Sequence, residues 1–97
     1  MVTKAIYASL KAKPGMEAEV EAFLMSAVPL VNDENGTVAW YALKEGPGMY
    51  SIFDTFEDEG GRDAHLNGKV AAALMAKADE LFAEPPKINK IDVLADK

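Results

Sequence analysis

His65 is the only histidine in the chain. Its side-chain type alone titrates near neutrality without help, so it is the natural proton carrier. A glycine-weakened helical stretch also allows the ring simply to cap, pack or face water. Asp54 lies in an apolar strand on the same parity as Ile52 and Phe56, which aims it at a buried face. A buried carboxylate needs partners and often has a raised pKa, so Asp54 reads as a base or as a structural hydrogen-bond acceptor. Tyr7 and Tyr50 can donate to a developing oxyanion, although tyrosine is also a common core residue with a hydrogen-bonded tip. The chemistry these types suggest is proton transfer on a small bound molecule, with Trp40, Phe56 and Ile52 as walls.

Composition removes many alternatives. In 97 residues, 16 acidic side chains face 10 Lys and Arg, a formal net charge of -6. That balance argues against nucleic acid and anionic membrane, because phosphate needs a clustered positive surface. No cysteine is present, so there is no disulfide, thiol nucleophile or thiolate metal site. One histidine per chain cannot supply a two-His metal centre, though a symmetric dimer could pair two copies. Gly46-Pro47-Gly48 and Gly60-Gly61 lack the helix start and Lys-Ser or Lys-Thr pair of a phosphate cradle. Ser9, Ser26 and Ser51 have no nucleophile-elbow context. Glu57-Asp58-Glu59 reads as a solvated helix start, not a metal site.

The longest apolar run, Val70 to Ala76, is far below the roughly 20 residues that span a bilayer. Met1-Val2-Thr3-Lys4 enters a strand pattern without an apolar leader, so a cytoplasmic protein is expected. At 10.4 kDa the chain is expected to form one domain, residues 1–97.

The elements that must position these residues follow from periodicity. Val2 to Leu10 alternates as a strand and Lys13-Pro14-Gly15 breaks it. Met16, Val20, Phe23, Leu24 and Ala27 then share one helical face, and Pro29 ends or kinks that helix. Asn32-Asp33-Glu34-Asn35-Gly36 is turn chemistry. Val38 to Lys44 and Met49 to Phe56 are strands joined by Glu45-Gly46-Pro47-Gly48. A weak helix over about Glu57 to Leu66 precedes a strong one that starts after Gly68 and runs to about Phe82, burying Val70, Leu74, Ala78, Leu81 and Phe82. Pro85-Pro86 stops it, and Ile88 to Leu94 is the last strand.

The order β-α-β-β-α-β predicts an α+β, ferredoxin-like antiparallel sheet with helices on one face. Both faces of the central strands are apolar, however: Tyr50, Ile52 and Phe56 against Met49 and Phe53, Val38 and Trp40 against Tyr41 and Leu43. The open face is therefore expected to pack on a second copy as a two-fold homodimer. Strand parity does not decide whether Trp40 faces the helices or that interface.

The chain resembles the antibiotic biosynthesis monooxygenase domain family, whose members form a dimeric α+β barrel. The resemblance rests on the strand leading into Lys13-Pro14-Gly15, the turn at Gly36 followed by Trp40, Phe53-Asp54-Thr55-Phe56, and Ala64-His65-Leu66. It covers almost the whole chain with short, degenerate motifs, and speaks to fold more than to reaction. Asp54 stands where the family usually has Glu, Phe56 where it has Trp, and a frequent second histidine would fall at Val70. Haem-degrading members use Asn, Trp and His at positions that fall near Ala8, Phe56 and Met75, so haem degradation is not expected. Met75, at helical spacing, reads as core.

Members that oxidise anthrone-like phenols work without metal or flavin, and the resemblance implies no cofactor here. An electron-rich substrate, once deprotonated, reacts with O2 itself, and the protein supplies a dry cavity, a proton acceptor and groups that hold the anion. On that reading His65 or Asp54 is the base and Tyr7 or Tyr50 steadies the oxyanion. The residues leave two other readings open: an isomerase or lyase on the same fold, and a non-catalytic dimer that binds a small apolar ligand or only a partner.

Overall fold

Why two short helices and two longer strands surround Asp54 follows from the local sequence. A computed structural model describes all residues, Met1–Lys97. Strand β1 spans Lys4–Lys11, helix α1 Glu17–Ser26, helix α2 Val28–Asn32, strand β2 Thr37–Gly46 and strand β3 Met49–Phe56. Helix α3 spans Glu59–Leu66, α4 Lys69–Leu81, and strand β4 Lys87–Asp92. The sheet is antiparallel throughout in the order β2-β3-β1-β4, with the helices on one side, the expected α+β ferredoxin-like arrangement.

Pro29 does not simply end a helix. It occupies the first turn of α2, where its missing N–H has no intrahelical partner to lose. The chain therefore turns at Ala27 and continues as a second short helix. Asp58 caps α3, accepting a 2.9 Å hydrogen bond from the Gly61 N–H, so the acidic run starts the helix as its composition predicts. Gly48 has φ of 71° in the β2–β3 turn, a conformation that costs other residues a steric penalty.

One face of the sheet carries Ala8, Leu10, Tyr50 and Ile52 into a core closed by Val20 and Leu24 of α1 and Leu74, Ala78 and Leu81 of α4. The five apolar positions assigned to the strong helix, Val70, Leu74, Ala78, Leu81 and Phe82, are all buried. Met75 is not core: it is 55% exposed, because it lies off the stripe that those residues define. On the opposite sheet face Tyr41, Leu43, Met49 and Ile91 remain at least 40% exposed. No helix is long and apolar enough to cross a membrane.

Two register shifts interrupt the β2–β3 ladder, between Thr37 and Ala39 and between Lys44 and Gly46. At the first, Val38 is the extra residue. It matters for the site, because side chains alternate faces along a strand and one added residue reverses that alternation.

Leu74 sits at the centre of the core with 6% of its surface exposed. Leu74→Ala should destabilise the fold by about 2–4 kcal/mol, the transfer and cavity cost of a buried leucine. Urea denaturation checks this, and a loss below about 1 kcal/mol would show that α4 does not anchor the core as described.

Candidate functional site

Asp54 is placed at mid-strand in β3, opposite Ile6 of β1 on one side and Trp40 of β2 on the other. Its side chain points toward the helices and is 1% exposed. His65, in the last turn of α3, comes down onto it, and its Nε2 lies 3.0 Å from Asp54 Oδ2. The other ring nitrogen is also engaged: Nδ1 lies 2.5 Å from Oε1 of Glu34, in the turn after α2. Thr37 Oγ1 donates to the same Glu34 oxygen at 2.7 Å. Phe56 covers the imidazole from one side, with ring centroids 5.5 Å apart.

Two backbone approaches allow this meeting. A Cβ on Gly36 would lie 2.9 Å from the Gly61 Cα, and a Cβ on Gly61 would lie 2.9 Å from the Gly36 carbonyl oxygen. Only glycine at both places lets the turn carrying Glu34 touch the start of α3. A Cβ on Gly68, the residue before α4, would crowd the Ala64 carbonyl at 3.1 Å and Glu34 Oε2 at 3.3 Å.

The electrostatics follow from burial. Desolvation alone pulls the His65 pKa down, since the charged ring is taken out of water. Hydrogen bonds and charge from Asp54 and Glu34 outweigh it, and the net value lies above the ordinary 6.5. His65 is thus held toward the imidazolium, donating to two carboxylates, with neither nitrogen free to act as a base in this state. Asp54 Oδ1 and Glu34 Oε2 are buried without a hydrogen-bond partner, as is Trp40 Nε1. Each such atom costs about 1–3 kcal/mol if it stays unpaired, and the two carboxylate oxygens belong to the two partners of one histidine.

Two clefts reach this cluster from either side of Glu34 and Thr37. One, of about 300 Å³, is lined by Asp33, Asn35, Gly61, His65, Gly68 and Lys69 with them. The other, of about 200 Å³, runs between α2 and β2 and is walled by Val28, Val31, Val38, Ala39 and Trp40.

Of the residues singled out in the sequence, His65 and Asp54 are brought together, with Phe56 and Trp40 beside them. The tyrosines are not. Tyr7 points to the opposite sheet face and its hydroxyl donates to Glu45 at 2.6 Å. Tyr50 shares the face of Asp54, but four residues away along the strand, about 13 Å. Its hydroxyl donates to Glu21 of α1 at 2.5 Å, and that bond, with burial, pushes the phenol above its usual range. Ile52 is buried in the core and lines neither cleft. Glu34 is the participant that the sequence hid, because it sits inside a run whose composition reads as a turn.

No family model matches the chain, and no curated protein matches it. Solved structures do. The fold is that of the antibiotic biosynthesis monooxygenase-like α+β proteins, as the sequence motifs implied. A candidate antibiotic biosynthesis monooxygenase from Caulobacter crescentus superposes with a TM-score of 0.81 at 21% identity, covering 97% of this chain and 92% of that one. Rv0793 from Mycobacterium tuberculosis gives a TM-score of 0.85 at 17% identity, covering 97% of each chain. NE2512 from Nitrosomonas europaea, a protein of unknown function, is much nearer, with a TM-score of 0.98 at 55% identity over 100% of this chain and 94% of that one. The chain belongs to the same family as NE2512 within this fold.

The single histidine makes the charge state easy to follow. A folded pKa above the unfolded value near 6.5 means that His65 stabilises the fold fully below about pH 6.5, and that this contribution is lost as pH rises through the folded pKa. Titration of the imidazole by NMR should place its midpoint above 6.5, and Glu34→Gln should move it down by removing one carboxylate. A midpoint in the native protein below 6.5 would mean that burial, not the carboxylates, dominates.

Proposed function

We propose that the protein is a monooxygenase that needs no bound cofactor and acts on a small aromatic, hydroquinone-like molecule, using the Asp54–His65–Glu34 array as its proton-transfer unit. The observation that supports this is the array itself: two carboxylates on one buried imidazole, with unpartnered oxygens at both ends, beside two clefts. Removing a hydroxyl proton gives an electron-rich anion able to transfer electrons to O2. One oxygen atom is then added to the substrate, the other leaves as water, and the substrate loses two hydrogens. The substrate supplies all the electrons, so no external reductant enters the balance.

His65 and Asp54 would hold the charge and the orientation of the array, and its carboxylates would accept the proton. Tyr7 and Tyr50 lie too far from it to steady the anion in one protomer, since both hydroxyls already donate to glutamates. Trp40 would serve as a wall of the groove between α2 and β2, whereas Phe56, fully buried against the His65 ring, lines neither cleft.

We also infer a homodimer through the open sheet face, where Tyr41, Leu43, Met49 and Ile91 are exposed together. An apolar patch of this kind on a small protein favours association. Native mass spectrometry should give twice the mass of one chain, and Leu43→Lys should release the monomer. A wild-type monomer at micromolar concentration would remove the interface.

For the reaction, an oxygen electrode and a panel of dihydroxynaphthalenes provide the test, with uncatalysed autoxidation subtracted. Enzyme-dependent uptake should be one O2 per product, and isotopic O2 should leave one labelled oxygen in that product. His65→Ala, with folding checked by circular dichroism, should lower turnover by about a hundredfold or more. Solvent deuterium entering carbon without O2 uptake would point instead to an isomerase or lyase. No enzyme-dependent change of either kind across the panel would leave the binding-protein reading.

A further inference from the structure

Helix α3 carries His65 to its partners, yet nothing apolar on that helix is buried. Of its eight residues only Arg62 and His65 are buried, and neither hydrophobic cluster of the core includes one of its side chains. Gly60 and Gly61 weaken its first turn, so so short a segment holds no fixed place by itself. The backbone approach of Gly61 to Gly36 permits the docking but supplies no side chain to hold it.

Arg62 supplies the missing anchor. It is 6% exposed, and its Nη1 donates to the carbonyls of Ile91 at 3.1 Å and Ala5 at 3.3 Å. Ala5 and Ile91 face each other across the β1–β4 ladder, so one guanidinium nitrogen rests on two strands. Its Nη2 lies 3.7 Å from Oε1 of the exposed Glu59, and its Nε is buried without a partner. An apolar side chain of similar volume would fill this space without burying a charge, and such replacements often cost no stability. What arginine adds is direction, because hydrogen bonds to fixed carbonyls set the height and rotation of the helix that carries them. Arg62 and His65 are three residues apart and share one face of α3, so any turn of the helix moves both.

We propose that Arg62 is the positioning residue of the Asp54–His65–Glu34 array, seating α3 on the β1–β4 carbonyls so that the imidazole stays between its two carboxylates. Its own bonds go to Ala5, Ile91 and Glu59, and it acts on the ring through the helix. The consequence for turnover rests on the proton-transfer reading given above; the consequence for the ring does not. Charged groups around His65 are Asp54 from β3, Glu34 from the turn, Asp33 and Lys69 along the shared cleft, and Arg62 on α3 itself. Asp54 and Glu34 are the ones that raise its pKa against burial. Loss of the seat therefore lowers the imidazole midpoint, whereas loss of a neighbouring positive charge alone would raise it.

His65 is the only histidine, so its ring can be titrated by NMR without ambiguity. Variants are compared with the wild type after circular dichroism has confirmed folding. Arg62→Met keeps most of the length and loses the donors, and its midpoint should fall. Arg62→Lys returns a donor to the same carbonyls and should recover part or all of that fall. Glu59→Gln removes only the exposed half of the ion pair and should leave the midpoint in place. No fall in folded Arg62→Met, a rise there, or a fall that lysine does not reduce would each overturn the assignment. If Arg62→Met does not fold, the shorter neutral Arg62→Gln is read in the same way. Turnover on the dihydroxynaphthalenes should drop about tenfold or more in Arg62→Met, as a misplaced proton carrier predicts. A wild-type protein without O2 uptake would reject the oxygenase reading and leave the titration to decide on Arg62. Uptake with an unmoved midpoint would do the reverse.

Discussion

The structure depends on one exchange of hydrogen bonds in a place where water cannot supply them. Asp54 is 1% exposed and His65 8%, and isolated charges at such depth would cost several kcal/mol each. Their 3.0 Å contact, closed by Glu34 on the other ring nitrogen, offsets that cost only if three separate pieces of chain arrive together: β3, the end of α3, and the turn between α2 and β2. The glycine pair at 36 and 61 is the geometric condition for that arrival, because any side chain there would hold the turn away from the helix. Removing one partner of such a cluster leaves a buried charge unmatched, which is more damaging than never having buried it. The cluster thus joins local sequence, tertiary packing and proton chemistry in one set of contacts.

A second constraint lies in the β2 ladder. Thr37 pairs with Phe56 on the face turned to the helices. Without a bulge, strict alternation would place Trp40, three residues on, against Phe53 on the open face. The extra residue, Val38, shifts the register so that Trp40 stands opposite Asp54 instead. The bulged residue itself is left 54% exposed and lines the groove between α2 and β2. A single inserted residue therefore carries the tryptophan from a surface that can meet another chain to the wall of the site.

This explains where the sequence was informative and where it was not. Periodicity located Met49–Phe56 to the residue and put Asp54 on a buried parity, because β3 is a central strand without irregularity inside it. The apolar stripe of α4 is legible for the same reason, whereas Met75 shares the helical spacing but lies off the buried stripe and is exposed. Trp40 could not be assigned a face, since a bulge has no reliable one-sequence signal and reverses parity beyond it. Glu34 was invisible as a partner: Asn32-Asp33-Glu34-Asn35-Gly36 has the composition of any solvated turn, and only the packing of Gly36 on Gly61 turns it inward. Tyr7 and Tyr50 show the complementary error. Residue type suggested an oxyanion donor, but each hydroxyl is already committed to a glutamate on a different element.

The sheet also separates two properties that small domains often merge. Asp54, Trp40 and Phe56 project to the helix side, whereas Tyr41, Leu43, Phe53 and Ile91 project to the other. A second copy docked on the open face would meet Tyr7 and Glu45, yet could place no side chain in the Asp54–His65–Glu34 cluster without crossing the sheet. Residues of the open face and of the cluster lie on opposite sides of the sheet, so substitutions in the two sets should add almost independently. On a fold that hosts many reactions, that separation is a physical reason why shape alone does not name the substrate.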